Sequence, residues 1–240
     1  MELFGIRIDS VTRAEALDQI IRACQDQASL QVITANPEIA LAAKEDPALR
    51  DLINSAGLVT PDGNGILLAA RLLGDRLPER VTGIDLAEDL CRISGQKDLA
   101  LYFLGGKPGV AQAAADRMAR LYPGVRVVGS RHGYFRGHEE EVLADIKAAH
   151  PDILLVGLGA PAQESFIRRW QKDLAVPVAI GVGGSFDVMS GQIRRAPDLV
   201  QRLRLEWAWR IFSDWRRLPR LLNLVRFVGA VCREKVHRRR

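Results

Sequence analysis

A chain of 240 residues has room for one large α/β domain, or for a domain with an appendage. Hydrophobic residues are 48% and charged residues 26% of it, which excludes a disordered or membrane-embedded chain and fits a globular one. The net charge of +5 is unevenly placed: residues 194–240 hold 14 Lys and Arg against 4 Asp and Glu, while residues 1–193 hold 20 against 25. A slightly acidic body with a strongly basic end points to a polyanionic partner, either nucleic acid or an anionic membrane surface; a solvated helix face is the plainer alternative.

In chain order, the opening MELFGIRIDS has no basic stretch and no long apolar core, so no secretory signal is expected. Residues 30–34, LQVIT, read as a short strand. Asn36 then suits an N-cap with Pro37 at the first helical position, and Asp46 with Pro47 repeats that logic up to a stop at Gly57. The apolar run 56–59 leads through TPDGNG into a helical pattern, ILLAARLL. Further on, LALYFLGG (99–106), VRVVGS, DILLVGLG and PVAIGVGG read as strands. The helical patterns PGVAQAAADRMARLYPG, EEEVLADIKAAH and AQESFIRRWQKDL separate them. Strands alternating with helices of this length predict crossover connections, hence a mostly parallel sheet with helices on both faces. Cys24, Cys91 and Cys232 are far apart, with no CxxC or metal spacing, which predicts reduced thiols in a cytoplasmic setting. The late apolar stretch 221–232 is too short to span a bilayer and carries Arg226. The expected organisation is an α/β catalytic domain at 1–193 and a basic, tryptophan-rich helical appendage at 194–240.

Three of the predicted strands end in glycines, and ligands of open α/β sheets bind outside the carboxyl ends of strands. None of these ends carries a dinucleotide fingerprint, and there is no phosphate-binding GxxxxGK[ST] loop. No DxD-type carboxylate pair suggests a metal, and His132, His138, His150 and His237 lack ligand spacing. Four segments place polar groups at strand ends: TANPE with Thr34, Asn36 and Glu38; PDGNG with Asp62; GAPAQES with Gln163 and Glu164; GGSFDVMSG with Asp187. Arg80 in RVTG adds a cation. Taken singly, each has an ordinary reading: a helix cap for Asn36, a turn for Asp62, a first-turn acid for Glu164, a surface position for Arg80.

Taken together, TANPE, PDGNG, RVTG, YFLGGKPGV, GYF, LLVGLGAPAQE, GVGGSFDVMSG and the end pattern RRAP…EWAWRIFSDWRRLPR resemble the TagA/WecG/CpsF glycosyltransferases over nearly the whole chain. The resemblance implies a Rossmann-like sheet that is not a standard one. It implies an inverting transfer of an N-acetylhexosamine-type sugar, as N-acetylmannosamine is, from a UDP donor, with no metal and no cofactor. The acceptor is a polyprenyl-diphosphate-linked aminosugar on the way to teichoic acid, common-antigen or capsular polysaccharides. The family's catalytic aspartate falls on Asp62, its neighbouring threonine and asparagine on Thr34 and Asn36, and a functional arginine on Arg80. Gly105, Gly106, Tyr134, Gln163 and Asp187 match positions around the nucleotide and sugar. The family's appendage docks on the inner face of the membrane and closes over the site, with Arg210, Arg217 and Arg220 near the diphosphates.

The chemistry agrees with that assignment. One in-line displacement at an anomeric carbon needs a general base within hydrogen-bond reach of the attacking hydroxyl, and partial burial of Asp62 would raise its basicity. The leaving diphosphate needs a positive field from arginines or helix N-termini. Trp207, Trp209 and Trp215 beside Arg210, Arg216, Arg217 and Arg220 read as a membrane-surface element. Arg210, Arg217 and Arg220 could share one helical face, which Pro219 interrupts. A nucleotide-dependent oxidoreductase and a nucleic-acid-binding adapter are the competing readings. The first lacks a fingerprint and the second a DNA-reading motif, so no nucleic acid is expected as partner. Self-association into a homo-oligomer through apolar surface stays open.

Overall fold

The computed structural model describes residues 1–193, 197 and 219–238. It opens with a hairpin of β1 (Glu2–Leu3) and β2 (Ile6–Arg7), turned by Phe4 and Gly5 at φ of 53° and 82°. Helix α1 (Arg13–Gln25) follows, started by a capping box. The Thr12 hydroxyl accepts from the Glu15 N–H at 3.2 Å, and the Glu15 carboxylate accepts from the Thr12 N–H at 2.7 Å. Neither the hairpin nor α1 is anticipated by the reading of strand and helix patterns above. The Thr12-x-x-Glu15 spacing was the available signal for the helix.

The main sheet is parallel throughout, in the order β4-β3-β8-β7-β5-β6. Its strands are β3 (Leu30–Ala35), β4 (Leu58–Pro61), β5 (Leu101–Gly105), β6 (Val127–Arg131), β7 (Ile153–Gly157) and β8 (Val178–Gly181). The last strand therefore closes against the first. The crossovers contain α2 (Pro37–Glu45), α3 (Pro47–Ser55), α4 (Asn64–Leu73), α5 (Gly83–Lys97), α6 (Val110–Leu121), α7 (Glu139–Ala149) and α8 (Ala162–Leu174). The short α9 (Ser185–Met189) follows β8. Asn36 and Asp46 cap α2 and α3 as their sequence positions predict. Helix α5 is a further element beyond the sequence reading, which took RVTG only for its arginine.

Alternation along the strands sorts the core into two faces. Val32, Leu101, Phe103, Ile153 and Leu155 face a cluster with α1, α5, α6 and α9. Ile33 and Ala35 face α2, α3 and α4, while Tyr102, Leu104, Leu154 and Val156 face α7 and α8. Helices thus cover both faces, the Rossmann-like arrangement expected. The outer edge of β4 is closed by Asp9, whose N–H donates to the Val59 carbonyl at 2.8 Å while its carboxylate accepts from the Val59 N–H at 2.8 Å.

Helix α10 (Pro219–Arg238) packs on α4 and α2. Phe227, Ala230 and Val231, spaced for one helical face, are buried in the same cluster as Leu3, Ile39 and Ile66. Pro219 is the first described residue of this helix. Arg210, Arg217, Trp207, Trp209, Trp215 and Arg216 lie outside the described residues. Arg220 lies in the first turn of α10, and its side chain lies outside them too. No helix among the described residues is long and apolar enough to cross a membrane.

Candidate active site

The carboxyl ends of β4, β3 and β8 bring Asp62, Thr34, Asn36 and the turn before Asp187 to one rim. Thr34, buried at the end of β3, donates its hydroxyl to the Gly181 carbonyl at 3.1 Å and so ties β3 to β8. Asn36 follows and caps α2: its Oδ1 accepts from the N–H groups of Glu38 at 2.9 Å and Ile39 at 3.0 Å. The capping reading of Asn36 therefore holds for its oxygen. The amide nitrogen does not take part in the cap.

Asp62 is half-buried just beyond β4, and its N–H donates to the Ala35 carbonyl at 2.9 Å. Gly63, next to it, turns the chain into α4 with φ of 98°. The partial burial expected for a base of raised basicity is present. Arg80 is brought to the same strand end by its neighbour. Val81 donates its N–H to the Pro61 carbonyl at 2.9 Å, and its own carbonyl accepts from the buried Thr60 hydroxyl at 3.1 Å. This two-point clamp was not legible beforehand, because Thr60 and Val81 read as ordinary strand and loop residues. After it, Thr82 caps α5, accepting from the Asp85 N–H at 3.2 Å and donating to the Asp85 carboxylate at 2.6 Å. The start of α5 lies hard against the β3–β8 seam: a Cβ on Gly83 would stand 3.1 Å from Val182 Cα.

Gln163 and Glu164 open α8 underneath β8, and both are buried. The Gln163 carboxamide accepts from the Gly183 N–H at 2.9 Å and donates to Glu164 Oε1 at 2.8 Å. Gly181 leaves room for this pair, since a Cβ there would meet Gln163 Nε2 at 2.5 Å. Asp187, half-buried in α9, accepts at its carbonyl from the Ile193 N–H at 2.9 Å and the Ser190 hydroxyl at 3.0 Å.

Gly105, Gly106 and Tyr134 form a second group farther along the rim. Gly105, at φ of 143°, has no room for a side chain, because a Cβ would lie 2.3 Å from the Gly157 carbonyl oxygen. Gly106 donates to that carbonyl at 3.0 Å and accepts from the Gly133 N–H at 2.9 Å, which places the exposed Tyr134 next to the glycine turn. A cavity of about 200 Å³ adjoins it, lined by Gly109, Gln112, Ser130, Arg131 and His132. From β4 to β5 the rim crosses four strand spacings, about 19 Å, so one ligand touching both groups is elongated. A larger cavity, about 580 Å³, sits at the opposite, amino end of β3 and β8, among Gln27, Ser29, Gln171 and Lys172. None of the strand-end residues reaches it, so the rim is the better candidate.

Five crossover helices point their N-termini at this rim: α2, α4, α5, α6 and α8. The N-cap residues of α4, α6 and α8, which are Gly63, Gly109 and Pro161, make no side-chain cap hydrogen bond. No group of three or more His, Cys, Asp or Glu with metal-holding geometry occurs among the described residues.

Comparison with known proteins agrees with the resemblance. The model of the Glycosyl transferase WecG/TagA/CpsF family matches residues 1–240. A Bacillus spizizenii protein, an N-acetylglucosaminyldiphosphoundecaprenol N-acetyl-beta-D-mannosaminyltransferase, is 36% identical over 204 residues, 85% of this chain and 79% of its own. Proteins of the same description from Bacillus subtilis and Staphylococcus aureus are 34% and 32% identical, over 87% and 98% of this chain and 81% and 93% of theirs.

Proposed function

Because the chain belongs to the WecG/TagA/CpsF family of glycosyl transferases, we propose that it moves an N-acetylmannosamine-like sugar from a UDP donor to a polyprenyl-diphosphate-linked aminosugar. The observation that carries this reading is the convergence of Asp62, Thr34, Asn36, Arg80 and Asp187 at three adjacent strand ends. The undecaprenol-linked substrate in the description of the Bacillus and Staphylococcus relatives supports the acceptor class.

In this reading the acceptor hydroxyl attacks the anomeric carbon on the face opposite the UDP. The carbon–oxygen bond to the diphosphate breaks as the new bond forms, and the configuration inverts. Asp62 takes the hydroxyl proton. Thr34 and Asn36 hold the rim on which the sugar rests. The elongated rim suits a nucleotide-sugar, with the sugar toward β4 and the nucleotide toward Gly105, Gly106 and Tyr134. Charge growing on the diphosphate meets Arg80 and the N-termini of α4 and α8, with no metal required.

Arg210, Arg217 and Arg220 complete that field in this reading. Ile193 before these residues and Phe227 after them each have a neighbour among the rim segments. Ile193 is bonded to Asp187, and Phe227 of α10 is the neighbour a Cβ on Gly65 would meet at 3.7 Å. The basic end also supplies attraction to an anionic membrane, on whose inner face the enzyme works as a peripheral protein. The test is a donor screen with a panel of UDP-sugars, a lipid-diphosphate-linked aminosugar and mass spectrometry of the product, with and without EDTA. A product one N-acetylhexosamine heavier, formed in EDTA, is expected; no transfer from any UDP-sugar overturns the reading.

A further inference from the structure

Glu164 is the residue of the strand-end region whose chemistry is least ordinary. It is 1% exposed, although it stands in the first turn of a helix, where a glutamate normally reaches water. Its surroundings are neutral. Gln163 donates to its Oε1, Gly181 of β8 lies against that oxygen, and Gln31 of β3 donates to its carbonyl at 3.1 Å. Among the described residues, Glu164 Oε2 is the buried side-chain oxygen with no hydrogen-bond partner. A buried carboxyl with a bare oxygen is costly, and an apolar residue would fill the space without that cost.

What an apolar residue could not do is fix the sense of the Gln163 amide. A backbone N–H can only donate, so the end of Gln163 facing Gly183 must be its oxygen. The other end is then an NH2 buried under β8, which needs an acceptor. Glu164 Oε1 supplies that acceptor in either protonation state. Without it the amide loses the reason to keep its oxygen toward Gly183, and a flip would set two donors against each other.

We propose that Glu164 is a positioning residue of the strand-end site, acting through Gln163 on the Gly183 N–H and so on the turn that carries the chain from β8 to Asp187. The role in transfer rests on the function proposed above; the relay itself does not. Burial pushes the Glu164 carboxyl up from its ordinary value, opposed by the Gln163 hydrogen bond and that of its own backbone. No charged side chain from the elements packed on α8, which are α3, α7, β3 and β8, contributes to this shift. The relay asks only for an acceptor oxygen beside the Gln163 NH2, which a glutamine supplies and a leucine does not.

The experiment follows the Gly183 amide by nuclear magnetic resonance in the full chain, with no sugar present, for the unmodified protein, E164Q and E164L. In E164L, exchange of the Gly183 amide with solvent should rise about tenfold or more, the scale of one lost hydrogen bond, while amides of β5 and β7 stay protected. E164Q should keep the protection. With rising pH the Gly183 signal of the unmodified protein should move at a point above the ordinary carboxylate range, and that of E164Q should not. Unchanged Gly183 exchange in E164L, or the same pH response in E164Q, overturns the relay. Should E164L not fold, the comparison with E164Q decides alone. In a transfer assay kcat should fall in E164L and return in E164Q. A chain with the relay but no transfer from any donor overturns only the proposed function; transfer with a Gly183 amide indifferent to residue 164 overturns only the relay.

Discussion

Phe227 of α10 meets Phe4 of the N-terminal hairpin edge to face, with ring centres 5.9 Å apart and planes at 83°. Residues more than two hundred positions apart thus share one core, and the end of the chain is seated on its beginning. Phe227 is fully buried, so Phe227→Ala should cost about 3–5 kcal/mol of stability through lost transfer energy and the cavity left behind. Urea denaturation measures it. A loss below about 1 kcal/mol would mean that α10 lies on the body without being part of its core.

Asp62 is tied to β3 through its backbone N–H, which donates to the Ala35 carbonyl at 2.9 Å. Asp62→Ala should slow sugar transfer by about a hundredfold or more while leaving UDP binding intact. Titration calorimetry with UDP beside a turnover assay separates the two. Near-normal turnover would remove Asp62 from the mechanism.

Asn36 offers a way to separate a cap from a site residue. Asn36→Ala should lose about 1 kcal/mol of stability, and Asn36→Ser should regain most of it, because serine caps nearly as well. Transfer should stay low in both variants if the amide serves the sugar. Activity that recovers in step with stability would leave Asn36 only its cap.

Glu164 makes stability depend on pH in a direction unusual for a carboxylate. Burial raises its value in the folded chain above the ordinary 4.5, so the folded chain holds this proton to higher pH than the unfolded chain does. Its contribution is complete below pH 4.5 and declines as pH rises through the raised folded value. The stability of the unmodified protein relative to Glu164→Gln should therefore fall between pH 4.5 and neutrality. Chemical denaturation at a series of pH values checks this, and a difference constant with pH counts against it.

The three thiols should divide by burial. Cys24 and Cys91 are buried and pushed up to about 12 by desolvation first and by Asp152 or Glu88 second, while Cys232 is exposed. Iodoacetamide at neutral pH should label Cys232 in the native protein and all three after denaturation. Native labelling of Cys24 or Cys91, read by peptide mass spectrometry, would contradict the packing of α1 or α5.

Local signals carried much of the fold. Asn36-Pro37 and Asp46-Pro47 announce two helices because capping and the fixed φ of proline act within a few residues. Strands alternating with helices announce a parallel sheet, because parallel neighbours need crossover connections of about that length. The hairpin at 2–7 and helices α1 and α5 escaped, although Thr12-x-x-Glu15 and Thr82-x-x-Asp85 were readable capping patterns. Of the candidate site, residue types and motif order sufficed to nominate Asp62, Thr34, Asn36, Arg80 and Asp187.

What only the tertiary structure decided are relations between distant residues. Thr34 reaches Gly181 because β8 returns to pair with β3, and Arg80 reaches the Asp62 strand end because Thr60 and Pro61 hold Val81 from both sides. No local pattern encodes strand order, since it follows from which apolar faces find each other. Glu164 shows the limit most plainly. By itself it is an acid in the first turn of a helix, favourable and exposed. Folding puts β8 and β3 over it, and exclusion of water pushes the same carboxyl above its ordinary value and makes it a buried hydrogen-bond acceptor beneath the site.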